Sequence, residues 1–154
     1  MITALIILVV LAALLLFLLA GRRNHPGLEK LRGWSYAHRG LHGEGIPENS
    51  MAAFRRALEH GYGIELDVHL MKDGNLAVIH DSSLKRTAGA DVMIEDLTVE
   101  DLENYRLEGT NEKISLLREL LDLYAGKAPL IVELKCERNN FSALCRAACA
   151  MLDT

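Results

Sequence analysis

The sequence predicts an α/β fold in which short β-strands alternate with α-helices. Three observations support this class. Short apolar runs of strand-forming residues recur along the chain, amphipathic helical patterns lie between them, and glycine, proline or asparagine stands at most of the junctions. Because strands that alternate with helices form βα units, we expect a mainly parallel sheet.

The first segment, residues 1–21, differs from the rest of the chain. Residues 2–20 carry no charge and are mostly leucine, isoleucine, valine and alanine. A helix of roughly 20 apolar residues can cross a hydrocarbon core of about 30 Å. We therefore expect a transmembrane helix that serves as a single-pass N-terminal membrane anchor. The alternative is a cleaved signal peptide, but no Lys or Arg precedes the apolar run.

A polar segment, residues 22–33, follows and is expected to be a tether to a domain at 34–154. Arg22 and Arg23 come directly after the apolar run. Because positive charge tends to remain on the cytoplasmic side of a membrane, we expect the domain to be cytoplasmic.

Composition excludes one class of partner and favours a reducing compartment. The net charge is −4 and both signs are interspersed, so the chain lacks the basic surface that binds nucleic acid. The three cysteines are an odd number, and their spacing fits no zinc-ligand pattern.

Within 34–154 the elements follow in order. The first strand is expected at 35–38, and Asn49 or Ser50 is expected to cap the helix that follows the glycine-rich loop after it. A turn at 72–75 separates the second and third strands, and Thr98 is expected to cap a further helix with Asp101. The remaining expected elements are strands at 64–70, 76–80 and 130–134 and helices at 116–124 and 141–152.

Residues that bind metals or move protons recur where these strand segments end. In parallel α/β folds of the barrel kind, working residues lie at the C-terminal ends of the strands. The recurring residues are His38, Arg39, Glu65, Asp67, His80, Asp81, Glu133 and Lys135.

Glu65 and Asp67 are candidate metal ligands. They are two residues apart on one strand, so both carboxylates project from the same face. Among apolar neighbours their repulsion and desolvation are costly unless a cation is present, and all-oxygen ligands suit Mg²⁺ or Ca²⁺. Glu133 is the natural third ligand. The alternative is a solvated strand edge.

His38 and His80 are candidates for acid and base catalysis, because a histidine pair can divide proton transfer near neutral pH. Arg39 and Lys135 would then bind an anionic substrate such as a phosphate. Their alternative role is ion pairing with the nearby carboxylates. His69 shares the face of Glu65 and Asp67, but we expect it to be solvated.

These motifs resemble the glycerophosphodiester phosphodiesterase family. The match runs from Ala37 to Lys135 through AHRG, PENS, ELDVHLMKDGNLAVIHDSSLKRT, LTVEDL and LIVELK, in the order and approximate spacing of the family. The resemblance implies a phosphodiesterase TIM barrel that hydrolyses glycerophosphodiesters to glycerol 3-phosphate and an alcohol.

The resemblance also implies a role for each matching residue. His38 and His80 match the acid and base pair, and Glu65, Asp67 and Glu133 match the metal ligands. Arg39 and Lys135 match positions that contact phosphate. Glu48 and Asn49 in PENS, together with Asp81, are expected to support the site, and Glu48 could orient His38 or approach the ion.

The 121 residues from 34 to 154 suffice for about half of a (β/α)8 barrel, which takes about 250. The later strands and the family's tryptophan-containing motif do not occur, so we expect the N-terminal half of a barrel, with about four βα units. Two alternatives remain open: a related barrel phospholipase that acts on intact lipid, and an inert, truncated, membrane-anchored binding protein.

Overall fold

The computed structural model describes residues 2–20 and 26–153, which fall into two compact units. The first unit, Met1–Gly33, contains helices α1 (Ile2–Ala20) and α2 (Pro26–Glu29). The second unit, Trp34–Thr154, contains the β-sheet and the remaining helices.

The predicted transmembrane helix at 1–21 is contradicted. Among the residues whose placement is described, no helix is both long enough and apolar enough to cross a membrane. The predicted membrane partner and the single-pass localisation depended on this helix, so they are not supported either. Arg22 and Arg23, on which the predicted orientation depended, lie outside the described residues.

Five strands form one sheet in the second unit, with β2 at its centre. β2 pairs in parallel with β1 and β5 and antiparallel with β3, which in turn pairs antiparallel with β4. The strands are β1 (Tyr36–His38), β2 (Gly63–Leu70), β3 (Leu76–Val78), β4 (Ser115–Leu116) and β5 (Leu130–Leu134). β4 is an addition to the four predicted strands.

The expectation of a mainly parallel sheet holds for β1, β2 and β5 but not for β3 and β4. The turn at 72–75 is far too short for the crossover that parallel strands need, so β2 and β3 form a hairpin. Gly74 adopts a φ of +87° in this turn, a conformation that glycine accepts without steric cost.

The backbone hydrogen bonds of β2 show which strands share each of its edges. The amide of Gly63 bonds towards β1 and the carbonyl of Asp67 accepts from Ile79, which follows β3. The amide of Ile64 and the carbonyl of Val68 bond on the other edge, towards β5. β1 and β3 therefore lie along one edge and run towards each other, so their C-terminal ends meet beside residues 65–67.

Three helices cover one face of this sheet: α3 (Met51–Glu59), α5 (Leu117–Tyr124) and α6 (Phe141–Leu152). The short helix α4 (Lys85–Ala88) packs against a different apolar cluster. The side chains of Ile64, Leu66 and Val68 enter an apolar cluster that also contains Phe54 of α3 and Leu144 of α6. Because side chains alternate along a strand, the odd-numbered residues of β2 face the opposite side.

A second apolar cluster lies under the irregular segment 82–114. It includes Ile79, Leu84, Ile94, Leu102 and Leu107, all buried. The helix predicted after Thr98 is only a short 3₁₀ turn, Asp101–Asn104, and the Asp101 carboxylate accepts hydrogen bonds from the amide and hydroxyl of Thr98.

Gly40 allows the loop after β1 to press against α3. The amide of Leu41 donates to the carbonyl of Ala53 at 3.0 Å. A Cβ atom on Gly40 would lie 2.8 Å from the Cβ of Ala53, and the φ of Gly40 is +80°. Only glycine satisfies both constraints without strain.

We expect Ser50→Ala to lower the free energy of unfolding by about 1 to 2 kcal/mol, because Ser50 is the N-cap of α3. Its buried hydroxyl accepts from the amide of Ala53 and donates to the carbonyl of Pro47. The exposed Ser142→Ala on α6 is the control, expected within about 0.5 kcal/mol of wild type. Urea unfolding measures both, and equal effects would contradict the assigned cap.

Candidate active site

The Asp67 carboxylate is the buried centre of a charged cluster, with 1% of its side chain exposed. Its Oδ2 accepts from Asn49 Nδ2 at 3.0 Å and lies 3.4 Å from Arg39 Nε. Its Oδ1 lies 3.0 Å from Lys135 Nζ, an ion pair without hydrogen-bond geometry. Burial alone would raise the pKa of Asp67, but Asn49 and the Lys135 ammonium outweigh that effect and lower it.

Glu65 and Glu133 bring two further carboxylates to Asp67. Donor oxygens from the three residues all lie within 4.8 Å of one another. The register explains this proximity, because Asp67 on β2 pairs directly with Glu133 on β5, and Glu65 is two residues before Asp67 on the same face. The Glu65 side chain is largely buried, and Glu133 is exposed.

The donor set fits a divalent cation. All the donors are carboxylate oxygens, the ligands that hard cations prefer. Within the described part of the chain, the cluster has an excess of two negative charges. It contains the five carboxylates of Glu48, Glu65, Asp67, Asp81 and Glu133 and the three permanent cations Arg39, Arg86 and Lys135. Asp67 Oδ1 is buried and makes no hydrogen bond with any of the described residues, so it keeps a lone pair for a cation.

Arg39 is held in an unusual backbone conformation at the end of β1. Its φ is +54°, in the left-handed region that a non-glycine residue enters only at a cost. This conformation directs its amide to Glu65 Oε2 at 3.2 Å, and its guanidinium donates to both oxygens of Glu48 at 3.1 and 3.2 Å. Asn49, which donates to Asp67, has a similar φ of +53°.

The two histidines differ in their surroundings. The His38 side chain is 69% exposed, and its Nε2 lies 3.8 Å from Glu65 Oε2, beyond hydrogen-bond distance. His80 is partly buried, and its Nδ1 lies 2.6 Å from Asp81 Oδ1. The carboxylate of Asp81 therefore fixes the orientation of the His80 ring, whereas His38 remains open to solvent.

Arg86 completes the cluster, although the sequence analysis did not select it. Its Nε donates to Asp81 Oδ2 and its NH2 group to Glu48 Oε1, both at 2.6 Å. It therefore connects the loop after β1 with the segment after β3. The signal in the sequence that could have indicated Arg86 is its position in KRT, at the end of the motif ELDVHLMKDGNLAVIHDSSLKRT.

The structure brings all ten predicted site residues into one network of contacts. His38 is nearest to Glu65, Lys135 bridges Asp67 and Glu133, and Glu48 reaches Asp81 through Arg86. Glu48 contacts Arg39 and Arg86 rather than His38. Glu48 and Asp81 have pKa values below the usual range of carboxyl groups. Burial alone would raise the pKa of Glu48, but Arg86 and Arg39 outweigh that effect and lower it. The hydrogen bond from Arg86 lowers the pKa of Asp81 to about 2.

The expectation that His69 is solvated is wrong. Its side chain is 1% exposed, its Nδ1 lies 2.6 Å from Glu95 Oε1, and its Nε2 lies 3.1 Å from the carbonyl oxygen of His80. The reason is that the segment 82–97 folds back over the end of β2, an arrangement that strand periodicity does not reveal.

An α/β sheet with an acidic triad and two histidines at its strand ends has the groups of an enzyme site that combines a metal ion with acid–base chemistry. Comparison with known proteins identifies the family. Residues 38–152 match the glycerophosphoryl diester phosphodiesterase family, and the chain belongs to that family.

Individual relatives agree with this assignment. The chain is 41% identical over 107 residues to a glycerophosphodiester phosphodiesterase of Bacillus altitudinis, a match that covers 65% of the chain and 43% of that protein. It is 35% identical over 116 residues to a lysophospholipase D of Rattus norvegicus, covering 67% of the chain and 36% of that protein.

Solved structures show the same fold. An Oleispira antarctica phosphodiesterase in complex with its product sn-glycerol-3-phosphate superposes with a TM-score of 0.71 at 27% identity, over 79% of the chain and 52% of that protein. The chain thus spans about half the length of that structure and less than half the length of the two relatives above.

Arg86→Gln is expected to raise the pKa of Asp81 from about 2 towards its usual range, because the hydrogen bond from Arg86 is the main cause of the low value. A pKa lowered by folding contributes stability above about pH 4, and this stability is lost as the pH falls towards 2. Acid unfolding of the variant should therefore begin at a higher pH.

Carboxyl-carbon NMR titration of Asp81 measures this change directly. Lys85→Gln is the matched control, because it removes the same charge one residue away and should leave the Asp81 midpoint unchanged. An Asp81 midpoint that moves equally in the two variants would show that general charge, rather than the Arg86 contact, sets its pKa.

Proposed function

We propose that the protein of this chain hydrolyses glycerophosphodiesters to glycerol 3-phosphate and an alcohol. The observation that carries the proposal is the site itself: three carboxylates with donor oxygens within 4.8 Å, flanked by two histidines and three cations. The activities named for the Bacillus relative and the product named for the Oleispira structure support it.

Glu65, Asp67 and Glu133 are the proposed holders of a divalent cation, Mg²⁺ or Ca²⁺. When bound there, the cation would supply Lewis-acid stabilisation of negative charge on the phosphoryl oxygens. Arg39 and Lys135 lie against the same carboxylates, so they are placed to add positive charge for the substrate phosphate.

His38 and His80 are the proposed proton-transfer pair. Asp81 engages His80 Nδ1, so the Nε2 of His80 is the nitrogen that would exchange a proton with the substrate. His38, at the C-terminal end of β1, lies beside Glu65 and is largely open to solvent. One histidine would assist the attacking oxygen while the other protonates the leaving alcohol, as cleavage of a phosphodiester requires.

A second substrate class has support from one comparison. The relative from Rattus norvegicus is named a lysophospholipase D, and it matches the chain over 116 residues. Lysophospholipids carry the same glycerophosphodiester headgroup with one acyl chain attached, so the same site chemistry would serve both substrates.

We expect His80→Gln to lower kcat on glycerophosphocholine by about 10²- to 10⁴-fold, because it removes a proton-transfer group. His38→Gln should fall in the same range. The exposed His60→Gln at the end of α3 is the control and should match wild type. Release of glycerol 3-phosphate is the measurement, made on the protein expressed from its full natural reading frame.

Release of choline, the product common to both reactions, measured with glycerophosphocholine and with lysophosphatidylcholine, distinguishes the two substrate classes. A higher kcat/KM for lysophosphatidylcholine would assign the protein to lysophospholipid hydrolysis. Binding of glycerophosphocholine without turnover of either substrate would contradict the enzymatic proposal and favour a binding protein.

Asp67→Asn is expected to weaken Ca²⁺ or Mg²⁺ binding by at least about tenfold, because it removes one of three anionic ligands from the site. Isothermal titration with each ion measures the affinity. The exposed Asp91→Asn is the control, with the same change in charge outside the cluster. Equal cation affinity in Asp67→Asn and wild type would remove the triad from the proposed site.

A further inference from the structure

We propose that the buried side chains of His69 and Glu95, together with the partly buried Ser82, form a positioning group that sets the place of His80, the proposed proton-transfer residue. This inference rests on the proposed function for its kinetic consequence. It extends that function to three residues that do not belong to the acidic triad, the two catalytic histidines or the phosphate contacts.

The first contact joins the group to the backbone of His80. His69 Nε2 lies 3.1 Å from the carbonyl oxygen of His80, and the His69 side chain is buried. A carbonyl oxygen only accepts hydrogen bonds, so the imidazole N–H must donate to it. This contact restrains the peptide plane that follows His80.

The second contact fixes the other end of the same segment. One carboxylate oxygen of Glu95 lies 2.6 Å from His69 Nδ1, and the other accepts a hydrogen bond from the Ser82 hydroxyl at 2.5 Å. Glu95 thereby ties residue 82 to residue 69. The carbonyl of Ser82 also accepts from the amide of Ile94 at 2.8 Å.

Together these contacts hold the segment 79–82 on both sides of the His80 side chain. The amide of Ile79 donates to the carbonyl of Asp67 at 3.0 Å, which aligns the segment with β2. The His80 ring itself contacts Asp81, a neighbour on the same segment. The backbone of the segment therefore determines where the His80 ring and Asp81 lie relative to the acidic triad.

A matched pair of substitutions separates positioning from stability. In His69→Gln the amide nitrogen falls near the position of the imidazole Nε2 and keeps a donor for the His80 carbonyl. In His69→Asn the amide nitrogen falls near Nδ1, keeps a donor for Glu95 and cannot reach His80. Each variant keeps one of the two contacts, so their melting temperatures should fall by similar amounts.

The kinetic effects should differ. We expect His69→Asn to lower kcat by about 100-fold with little change in KM, whereas His69→Gln stays within about tenfold of wild type, because small misplacements of a catalytic group are costly. The assay uses the full natural protein with glycerophosphocholine, and His60→Asn is the control. Equal kcat losses in the two His69 variants, in line with their stabilities, would overturn the proposal.

A readout that does not depend on turnover separates this inference from the proposed function. In protein with ¹³C-labelled histidine, the ring CH resonance of His80, assigned from its loss in His80→Gln, should shift in His69→Asn and stay close to wild type in His69→Gln. The same shift in both variants, or in neither, would overturn the proposal. Absence of turnover in wild type would contradict only the proposed function.

Discussion

The buried carboxylate of Asp67 is the constraint on which the arrangement of the site depends. A carboxylate with 1% of its side chain exposed is costly to bury unless cations and hydrogen-bond donors surround it. Its partners come from three parts of the chain: Arg39 from the end of β1, Asn49 from the loop before α3 and Lys135 from the end of β5. The charge on one residue thereby fixes three segments against the centre of the sheet.

The topology of the sheet explains how the two histidines reach the same region. β1 runs parallel to β2 and β3 runs antiparallel to it, yet both lie along the same edge. Their C-terminal ends therefore approach residues 65–67 from opposite directions. The hairpin brings His80 back towards the triad after a connection of only five residues between β2 and β3.

Sequence reasoning found the residues at the strand ends because strand periodicity and charge are both local signals. Glu65, Asp67 and Glu133 share a face for reasons visible in the sequence, and Ser50 was one of the two residues expected to cap α3. Sequence reasoning did not find Arg86 and Glu95, because both lie in an irregular segment and contact residues far away along the chain. Glu48 is 38 residues from Arg86, and His69 is 26 residues from Glu95. Such contacts depend on how the chain folds back, which periodicity does not encode.

The segment 82–97 is irregular in secondary structure, but two kinds of interaction fix its position. Its apolar side chains, including Leu84 and Ile94, enter the second buried cluster, which provides stability without a unique register. The pair of His69 and Glu95 lies beside that cluster and costs desolvation energy that an apolar pair of similar size would avoid. A buried polar pair of this kind is satisfied in only one arrangement, because each displaced donor or acceptor would remain unpaired. The polar pair therefore specifies the position of the segment that carries His80, and the apolar cluster supplies the free energy that holds it there.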